Sequence, residues 1–347
     1  MTQQISEHLN DNQMIKKNQI ILGDCLDSFQ KLPNDSVQVV FADPPFNLDK
    51  AYNLYQDTMK SDAYVTWCRN WIVEAVRVLK PGGSLFLHNI PKWLSIFTCA
   101  LSEIDNMEFR HWIAWDAPTK PMGKSLQPAH YGILYYAKSP IKNLYFPKRQ
   151  QSITFNEIRL PHKRCRVCNC LMADYGGKKE LIPPHGPLAS DVWKDIHRLK
   201  HKKFRSEHPC QLPVALLERI ILMSSLPEDI ILDPFIGAGS TAIAAKRLGR
   251  DFIGFEIDEK YIDITNKRIE RQKIQSKFNG IFVGCQRNEI ISAIDSDIKT
   301  DAWKSIFDDF PDTPEKRKKL EKQGMKLKPE YKSLVHALEY QLIESTI

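Results

Sequence analysis

The four residues Asp43-Pro44-Pro45-Phe46 directly follow an apolar run and form a rigid turn rich in hydrogen-bond acceptors. Two successive prolines fix φ and remove two backbone donors, so the turn presents the Asp43 carboxylate and the Pro44 carbonyl without competing N–H groups. These oxygens can accept both protons of an exocyclic amine on a planar base, which draws the nitrogen toward tetrahedral geometry and makes it nucleophilic. Phe46 would stack on that base, which must leave a duplex to reach the turn. The same letters also occur in ordinary turns.

A second candidate site is the glycine-rich segment Gly237-Ala238-Gly239-Ser240-Thr241, which follows a predicted strand and opens a predicted helix. With Glu256 about twenty residues further on, the spacing fits a dinucleotide site in which the acid holds ribose hydroxyls. Asp233 at the mouth of the loop argues against NAD, because its carboxylate would repel a pyrophosphate. The same carboxylate would attract an ammonium group, while the helix N-terminus can receive a carboxylate. S-adenosylmethionine carries both groups and a ribose.

Asp24 adds to this prediction, because it lies at the tip of another predicted strand and could accept a hydrogen bond from the cofactor's adenine amine. An alternative is that Asp24 and Asp233 are turn or helix-capping residues. An NAD-linked oxidoreductase is the first rival function, but it leaves the Asp43 turn unexplained. A nucleic-acid-binding module with a vestigial cofactor loop is the second. Methyl transfer to RNA or to a protein amide is the third.

The elements that must position both sites follow from the hydrophobic pattern. Apolar runs that stop at turn residues predict strands at 18–22, 37–42, 84–88, 229–233 and 251–257. Aromatic-rich runs predict an antiparallel pair at the sheet edge, at 109–115 and 131–137. One-sided periodicity predicts helices at 62–79, 93–103, 240–248 and 259–272, and another with Pro213 in its first turn. Pro81-Gly82-Gly83 is predicted to end the first helix, and 229–257 form a βαβ unit of an α/β protein.

The 347 residues suffice for one large domain or two of medium size, and they carry a formal net charge of +7. The basic character is regional, because residues 141–205 contain fifteen Lys or Arg against five Asp or Glu. Such a segment supplies phosphate affinity, although a solvated insertion without a partner would have the same composition. No apolar run approaches the ~20 residues of a membrane helix, and residues 1–17 lack a signal peptide's apolar stretch. We expect a cytoplasmic protein with no membrane partner.

The two loops together resemble those of the site-specific DNA amino-methyltransferases, in the group where the catalytic Asp-Pro-Pro-Phe motif precedes the cofactor loop. The resemblance covers residues 19–271. It rests on five motifs in the expected order: Gly23-Asp24-Cys25, Asp43-Pro44-Pro45-Phe46, His208-Pro209-Cys210-Gln211-Leu212-Pro213, Asp233-Pro234-Phe235-Ile236-Gly237-Ala238-Gly239 and Phe252-Ile253-Gly254-Phe255-Glu256. Two residues depart from the family pattern: Leu212 stands where many relatives carry lysine, and Ser240 where threonine is frequent.

The resemblance implies an α/β, Rossmann-like S-adenosylmethionine-dependent methyltransferase fold in circularly permuted motif order, with an inserted DNA-recognition region. It makes Asp43, Pro44, Pro45 and Phe46 catalytic. The cofactor-binding residues would be Asp24, Cys25, Pro209, Cys210, Asp233, Phe235, Gly237, Gly239, Ser240, Thr241 and Glu256. N6 of adenine in double-stranded DNA is the favoured methyl acceptor, and N4 of cytosine is the alternative.

The resemblance also implies a role in restriction-modification or epigenetic marking, with a cognate restriction endonuclease as a partner that shares the target sequence. The choice between monomer and homodimer stays open. We predict five parts of the chain. They are a flexible N-terminus (1–17), a catalytic half (18–140), a target-recognition insertion (141–207), a cofactor-binding half (208–272) and a C-terminal extension without an assigned role (273–347).

Two groups of residues in the insertion carry further predictions. Cys165, Cys168 and Cys170, preceded by His162, could hold a structural zinc ion, although no second C-x-x-C pair follows at knuckle spacing. A basic, aromatic-flanked stretch is predicted to contact DNA phosphates, and a charged surface helix is the alternative. Its residues are Trp193, Arg198, Lys200, Lys202, Lys203 and Arg205.

Overall fold

A computed structural model describes residues 16–49, 57–117, 129–138, 156–162, 170–171, 186–199, 211–274 and 282–285. Its helices are α1 (Cys25–Phe29), α2 (Ser61–Val78), α3 (Pro91–Ser102), α4 (Val214–Ser224), α5 (Ser240–Arg247) and α6 (Glu259–Glu270). Its strands are β1 (Gln19–Leu22), β2 (Val37–Ala42), β3 (Leu79–Asn89), β4 (Met107–Asp116), β5 (His130–Lys138), β6 (Asn156–Arg159), β7 (Val192–Trp193), β8 (Ile230–Asp233), β9 (Asp251–Glu256) and β10 (Phe282–Cys285).

Within these ranges, the main sheet has eight strands in the order β1-β9-β8-β2-β3-β5-β4-β7. The five strands from β1 to β3 in this order are parallel, and β5 is antiparallel to both β3 and β4. The predicted antiparallel pair near the sheet edge is therefore confirmed. β2 and β8, which lead into the two candidate loops, are neighbours with Val40 opposite Leu232. Both loops consequently leave the same edge of the sheet.

Two apolar layers cover the faces of this sheet, and β2 contributes to both. Successive side chains of a strand point to opposite faces. Val39 and Phe41 thus join the core formed with α4 and α5, whereas Val40 and Ala42 join the core formed with α1, α2 and α3. All six residues of β2 are buried, which explains why five of them are apolar. The sixth, Gln38, donates its side-chain amide to the Gly82 carbonyl at 3.3 Å.

The predicted strands and helices are observed with boundaries shifted by a few residues. The helix predicted at 62–79 is α2, which ends at Val78 as expected, but the turn predicted to follow it is wrong. Pro81-Gly82-Gly83 does not form a terminating turn, because β3 begins at Leu79 and includes these residues. The pairing of β2 with β3 shifts register between Val37 and Val39, where the extra residues of β3 are accommodated. Gly83 lies so close to β2 that an added Cβ would approach the Gln38 carbonyl oxygen to 2.8 Å.

The sequence pattern predicts none of the short strands β6, β7 and β10. β6 pairs with β10 in a separate antiparallel ribbon, while β7 pairs with β4 at the edge of the main sheet. The indole nitrogen of Trp115 donates to the Ile196 carbonyl at 2.7 Å, and buried Arg219 forms an ion pair with Asp195. The segment 186–199 of the predicted insertion is thus attached to the main sheet. The five-part division of the chain stays a prediction.

Gly239 supplies a test of how tightly the glycine loop is packed. Its φ is +74°, and an added Cβ would lie 2.1 Å from Cγ2 of Thr265. Gly249 has φ +69°, but an added Cβ there would meet nothing within 4 Å. Gly249→Ala should therefore cost about 1 kcal/mol of unfolding free energy, from backbone strain alone. Gly239→Ala should cost about 2–4 kcal/mol in urea unfolding, because steric overlap is added.

Thr265→Ser provides the control, since it removes Cγ2 and keeps the hydroxyl that donates to the Gly237 carbonyl at 2.8 Å. Gly239→Ala should be less destabilising in the Thr265→Ser background than in the wild-type chain. Equal costs for Gly239→Ala and Gly249→Ala would contradict the packing argument.

Candidate active site

One open cavity of about 250 Å³ adjoins both candidate loops. From the first loop it is lined by Asp43, Pro44, Pro45 and Phe46. From the cofactor side it is lined by Asp24, Cys25, Asp233, Phe235, Gly237, Ser240, Thr241 and Glu256. The two groups of residues that the sequence singles out are therefore brought together across the neighbouring strands β2 and β8.

Side chains from two helices and a connecting segment hold the Asp43 turn in place. The buried Asp57 carboxylate accepts hydrogen bonds from the backbone nitrogens of Asn47 and Leu48, at 2.7 and 2.9 Å. Tyr64 of α2 donates its hydroxyl to the Pro45 carbonyl, and Trp93 of α3 donates its indole N–H to the Phe46 carbonyl at 2.7 Å. These two bonds occupy the carbonyls of Pro45 and Phe46. Neither of them involves the Pro44 carbonyl, which is the one predicted to accept a hydrogen bond from a ligand.

Asp43 forms a close contact with a residue to which the sequence analysis gave no role. Its Oδ1 atom lies 2.7 Å from Nδ1 of His88, whose side chain is buried at the end of β3. Continuing the pairing of Ala42 with Leu87 puts Asp43 and His88 at the same level of two adjacent strands. Parallel pairing of the predicted strands 37–42 and 84–88 would have identified His88, but the sequence does not state which strands are neighbours.

Aromatic rings surround the space beside Asp43. The Phe46 ring lies 5.5 Å from His88 and 5.8 Å from Tyr131, and the Trp115 ring lies 5.7 Å from His88, all between centroids. Arg198 lies at the same cavity with its guanidinium 5.2 Å from the centre of the Tyr131 ring. These rings are tilted against one another by 53–58° and line the cavity together with the Asp43 carboxylate. An aromatic lining with one carboxylate suits an aromatic ligand that carries hydrogen-bond donors.

The glycine loop owes its shape to two glycines and an acid from the next strand. Gly237 and Gly239 have φ values of +47° and +74°, which side chains with a Cβ rarely adopt. The Gly237 nitrogen donates to Oε2 of Glu256 at 2.9 Å. Oε1 of Glu256 accepts from the backbone nitrogens of Ile257 and Asp258. Since a carboxylate has about four acceptor sites, Glu256 retains capacity for a ligand hydroxyl.

Asp233 is buried, with 3% of its surface exposed. Its oxygens accept hydrogen bonds from the Phe235 nitrogen at 2.9 Å and from the Thr241 hydroxyl at 2.5 Å. Burial raises the pKa of Asp233 to about 7, and the nearby Asp43 and Glu256 carboxylates add to the increase. Burial likewise raises the pKa of Glu256. A cation in this cavity would restore the ionised form of both acids.

The remaining predicted cofactor residues have local partners as well. Asp24 caps α1, because its Oδ1 atom accepts a hydrogen bond from the Leu26 nitrogen at 2.8 Å. The alternative that Asp24 is a helix-capping residue is therefore correct, and its other oxygen is not used by the cap. Cys25 is buried, and desolvation raises the pKa of its thiol. The Ser240 hydroxyl donates to the Leu212 carbonyl at 2.8 Å, which links the glycine loop to the segment that leads into α4. Pro209 and Cys210 lie outside the described residues.

The structure corrects one predicted DNA contact. Trp193 is 2% exposed, its indole donates to the Ser190 carbonyl, and the guanidinium of Arg219 lies 5.0 Å from its ring centre. Trp193 is therefore a core residue of strand β7, because pairing with β4 turns its side chain inward. Lys200, Lys202, Lys203 and Arg205 lie outside the described residues.

The zinc prediction concerns residues that are mostly outside the described ranges. Cys165 and Cys168 are among those omitted, while Cys170 is exposed. Among the described residues, no group of three His, Cys, Asp or Glu is arranged to hold a metal ion. The described helices also include none with the length and apolar character that a membrane span requires.

Comparisons with known proteins agree with this geometry. A family model described as DNA methylase, of the N6/N4 type, matches residues 37–267. The Type II methyltransferase M.BamHI of Bacillus amyloliquefaciens is 40% identical over 260 residues, which are 74% of this chain and 58% of that protein. The match thus spans little more than half of that relative's length.

Two further relatives are covered more completely. The Type II methyltransferase M.HpaI of Haemophilus parainfluenzae is 33% identical over 75% of each chain. The DNA adenine methyltransferase YhdJ of Escherichia coli (strain K12) is 33% identical over 72% of this chain and 82% of that protein. The family that the motifs predict is therefore confirmed, and with it the Rossmann-like α/β fold. The chain belongs to the N6/N4 DNA methylase family.

Proposed function

We propose that the protein is a DNA methyltransferase that transfers a methyl group from S-adenosylmethionine to N6 of adenine in double-stranded DNA. The observation that carries the proposal is the single cavity shared by Asp43 and the glycine loop. A methyl donor bound at the loop and an amine bound at Asp43 would meet within it. A shared cavity also argues against the rival of a nucleic-acid-binding module, which needs no such cavity.

The residues on the cofactor side suit S-adenosylmethionine in shape and charge. The glycine loop allows close approach of a ligand to the backbone, and Glu256 has acceptor capacity for ribose hydroxyls. Asp24, Asp43, Asp233, Glu256 and Asp258 line the cavity, whereas Arg198 is the one Lys or Arg among its described lining residues. This excess of acids favours a cationic ligand over a pyrophosphate, which supports S-adenosylmethionine over NAD. When bound, S-adenosylmethionine supplies an electrophilic methyl group on a sulfonium.

The Asp43 side would hold the target base in an extrahelical position. Asp43 and the Pro44 carbonyl accept the two protons of the exocyclic amine, and the aromatic residues Phe46 and Tyr131 contact the faces of the base. These two acceptors would raise the electron density on the amine nitrogen. As the nitrogen bonds to the methyl carbon, the bond between that carbon and the sulfonium sulfur would break and leave a neutral thioether. The surplus proton of the methylated amine would then pass by way of the Asp43 carboxylate to solvent. A base within a duplex cannot reach this recessed site, so base flipping is part of the proposal.

Adenine N6 is the finer part of the proposal, and cytosine N4 is the alternative acceptor. The adenine assignment draws on the Asp-Pro-Pro-Phe form of the motif and on the adenine-specific relative YhdJ. We further propose that the protein acts on DNA in the cytoplasm and that a restriction endonuclease shares its target sequence, as the Type II names of two relatives suggest. The choice between monomer and homodimer stays open, and a structural zinc ion remains a prediction from the sequence.

The experiment that tests this function is methyl transfer from tritiated S-adenosylmethionine to mixed bacterial DNA, followed by nucleoside analysis. We expect label in N6-methyladenine. Label in N4-methylcytosine would leave the enzyme class intact and replace the acceptor. Bacterial RNA and protein are offered in parallel reactions, and label there with none in DNA would overturn the proposal. Failure to bind S-adenosylmethionine in a titration would also overturn it.

Replacement of Asp43 tests the proposed chemistry. Asp43→Ala should lower the turnover number by several orders of magnitude, because it removes the acceptor that activates the amine. Affinity for S-adenosylmethionine should stay within about tenfold, since the glycine loop is untouched. Asp43→Asn is the matched variant of equal size, and it should also be inactive because it lacks the negative charge. Substantial turnover by either variant would show that Asp43 is dispensable.

The raised pKa of Asp233 predicts a pH dependence of cofactor binding. With a pKa of about 7, Asp233 is increasingly protonated as the pH falls from about 8 to about 6, and a cationic ligand prefers the ionised form. The dissociation constant for S-adenosylmethionine should therefore rise with falling pH, by up to about tenfold per pH unit below the pKa. Titration calorimetry at several pH values measures this effect.

Asp233→Asn is the control for that measurement. The amide can still accept from the Phe235 nitrogen but does not titrate, and the ligand's own ionisation contributes equally to both proteins. The difference in pH dependence between wild type and Asp233→Asn thus reports Asp233 alone. Parallel pH profiles would contradict the link between this carboxyl and the cofactor.

A further inference from the structure

His88 has a buried polar atom for which the described residues offer no partner. The residue is 2% exposed, and its Nδ1 atom lies 2.7 Å from Asp43 Oδ1. Its Nε2 atom is buried and makes no hydrogen bond within the described part of the chain. The ring is enclosed by Phe46, Trp115 and Tyr131, with centroids 5.3–5.7 Å away. A buried nitrogen of this kind constrains the form of the imidazole.

Hydrogen bonding assigns the neutral tautomer with its proton on Nδ1. An imidazolium would bury a second N–H, on Nε2, without an acceptor, and an unmatched buried donor is costly. The tautomer protonated on Nε2 would have the same unmatched donor, and it would also set the Nδ1 lone pair against the Asp43 carboxylate. With the proton on Nδ1, the imidazole donates to Asp43 and leaves only a weak acceptor buried among aromatic rings.

We propose that His88 is a positioning residue for Asp43. His88 donates its Nδ1–H to Oδ1 of Asp43 and thereby leaves Oδ2 of Asp43 facing the target amine. The proposal rests on the proposed function, in which Asp43 activates that amine. The level pairing of β2 and β3 brings the two side chains together, and the Phe46 ring that packs on His88 belongs to the same turn as Asp43. His88 therefore fixes both the carboxylate and one wall of the base pocket.

The neutral state of His88 matters for the chemistry. An imidazolium would neutralise the carboxylate and weaken it as an acceptor for the amine protons. A neutral donor orients Asp43 and leaves its negative charge in place. Loss of the donor would allow Asp43 to rotate, and misplacement of an acid–base group commonly costs about 100-fold in rate.

Three substitutions distinguish the effect of losing the Nδ1–H donor from the effect of losing the volume of the ring. His88→Asn carries an amide N–H near the position of Nδ1, His88→Gln carries one near the position of Nε2, and His88→Leu carries none. We expect His88→Leu and His88→Gln to lose about 100-fold in kcat, and His88→Asn to stay within about tenfold of wild type. The KM for DNA and the dissociation constant for S-adenosylmethionine should change little in all three.

Thermal unfolding of each variant accompanies the kinetics, so that kcat is compared between folded proteins of known active concentration. The inference is overturned if Asn is no better than Leu, if all three variants retain wild-type kcat, or if the loss is found in KM instead of kcat. An inactive wild-type enzyme would instead refute the proposed function. The two failures are therefore distinguishable.

Discussion

The adjacency of β2 and β8 is the constraint on which the rest of the site depends. Asp43 and Asp233 are almost two hundred residues apart in the sequence. The strands that precede them are nevertheless neighbours in the parallel part of the sheet, with Val40 opposite Leu232. Both strands run in the same direction, so their carboxyl ends open into the same cavity. Ligands of open α/β sheets bind at such an edge. The order of the motifs along the chain matters less than the order of the strands in the sheet.

Electrostatics gives this cavity its character. Burial makes the ionised form of Asp233 unfavourable without a compensating charge, and the nearby carboxylates of Asp43 and Glu256 raise its pKa further. The hydrogen bonds from Thr241 and the backbone to Asp233 offset part of that cost. The acidic residues thus perform two tasks, because they shape the glycine loop through backbone N–H groups and they favour a positively charged ligand.

The hydrophobic pattern of a segment is sufficient to predict a strand or helix whose structure depends mainly on its own residues. The strand 37–42 is predicted with its observed bounds because all six of its residues are buried and five of them are apolar. Pro81-Gly82-Gly83 was misread since a turn signal can be accommodated as an irregularity between paired strands. His88 is given no role in the sequence analysis and Trp193 the wrong one, for a different reason. Their roles depend on which strands are neighbours, and neither hydrophobic period nor residue type carries that information.

The attachment of residues 186–199 to the main sheet connects the end of the predicted insertion to the wall of the cavity. Trp115 lines the cavity and also donates its indole N–H to Ile196, so one side chain belongs to the pocket wall and to the anchored segment. Arg219 of α4 secures the same segment through Asp195. Any replacement of the predicted insertion would therefore have to keep Trp115, Arg219 and their partners in this segment, because the pocket wall is otherwise left without part of its support.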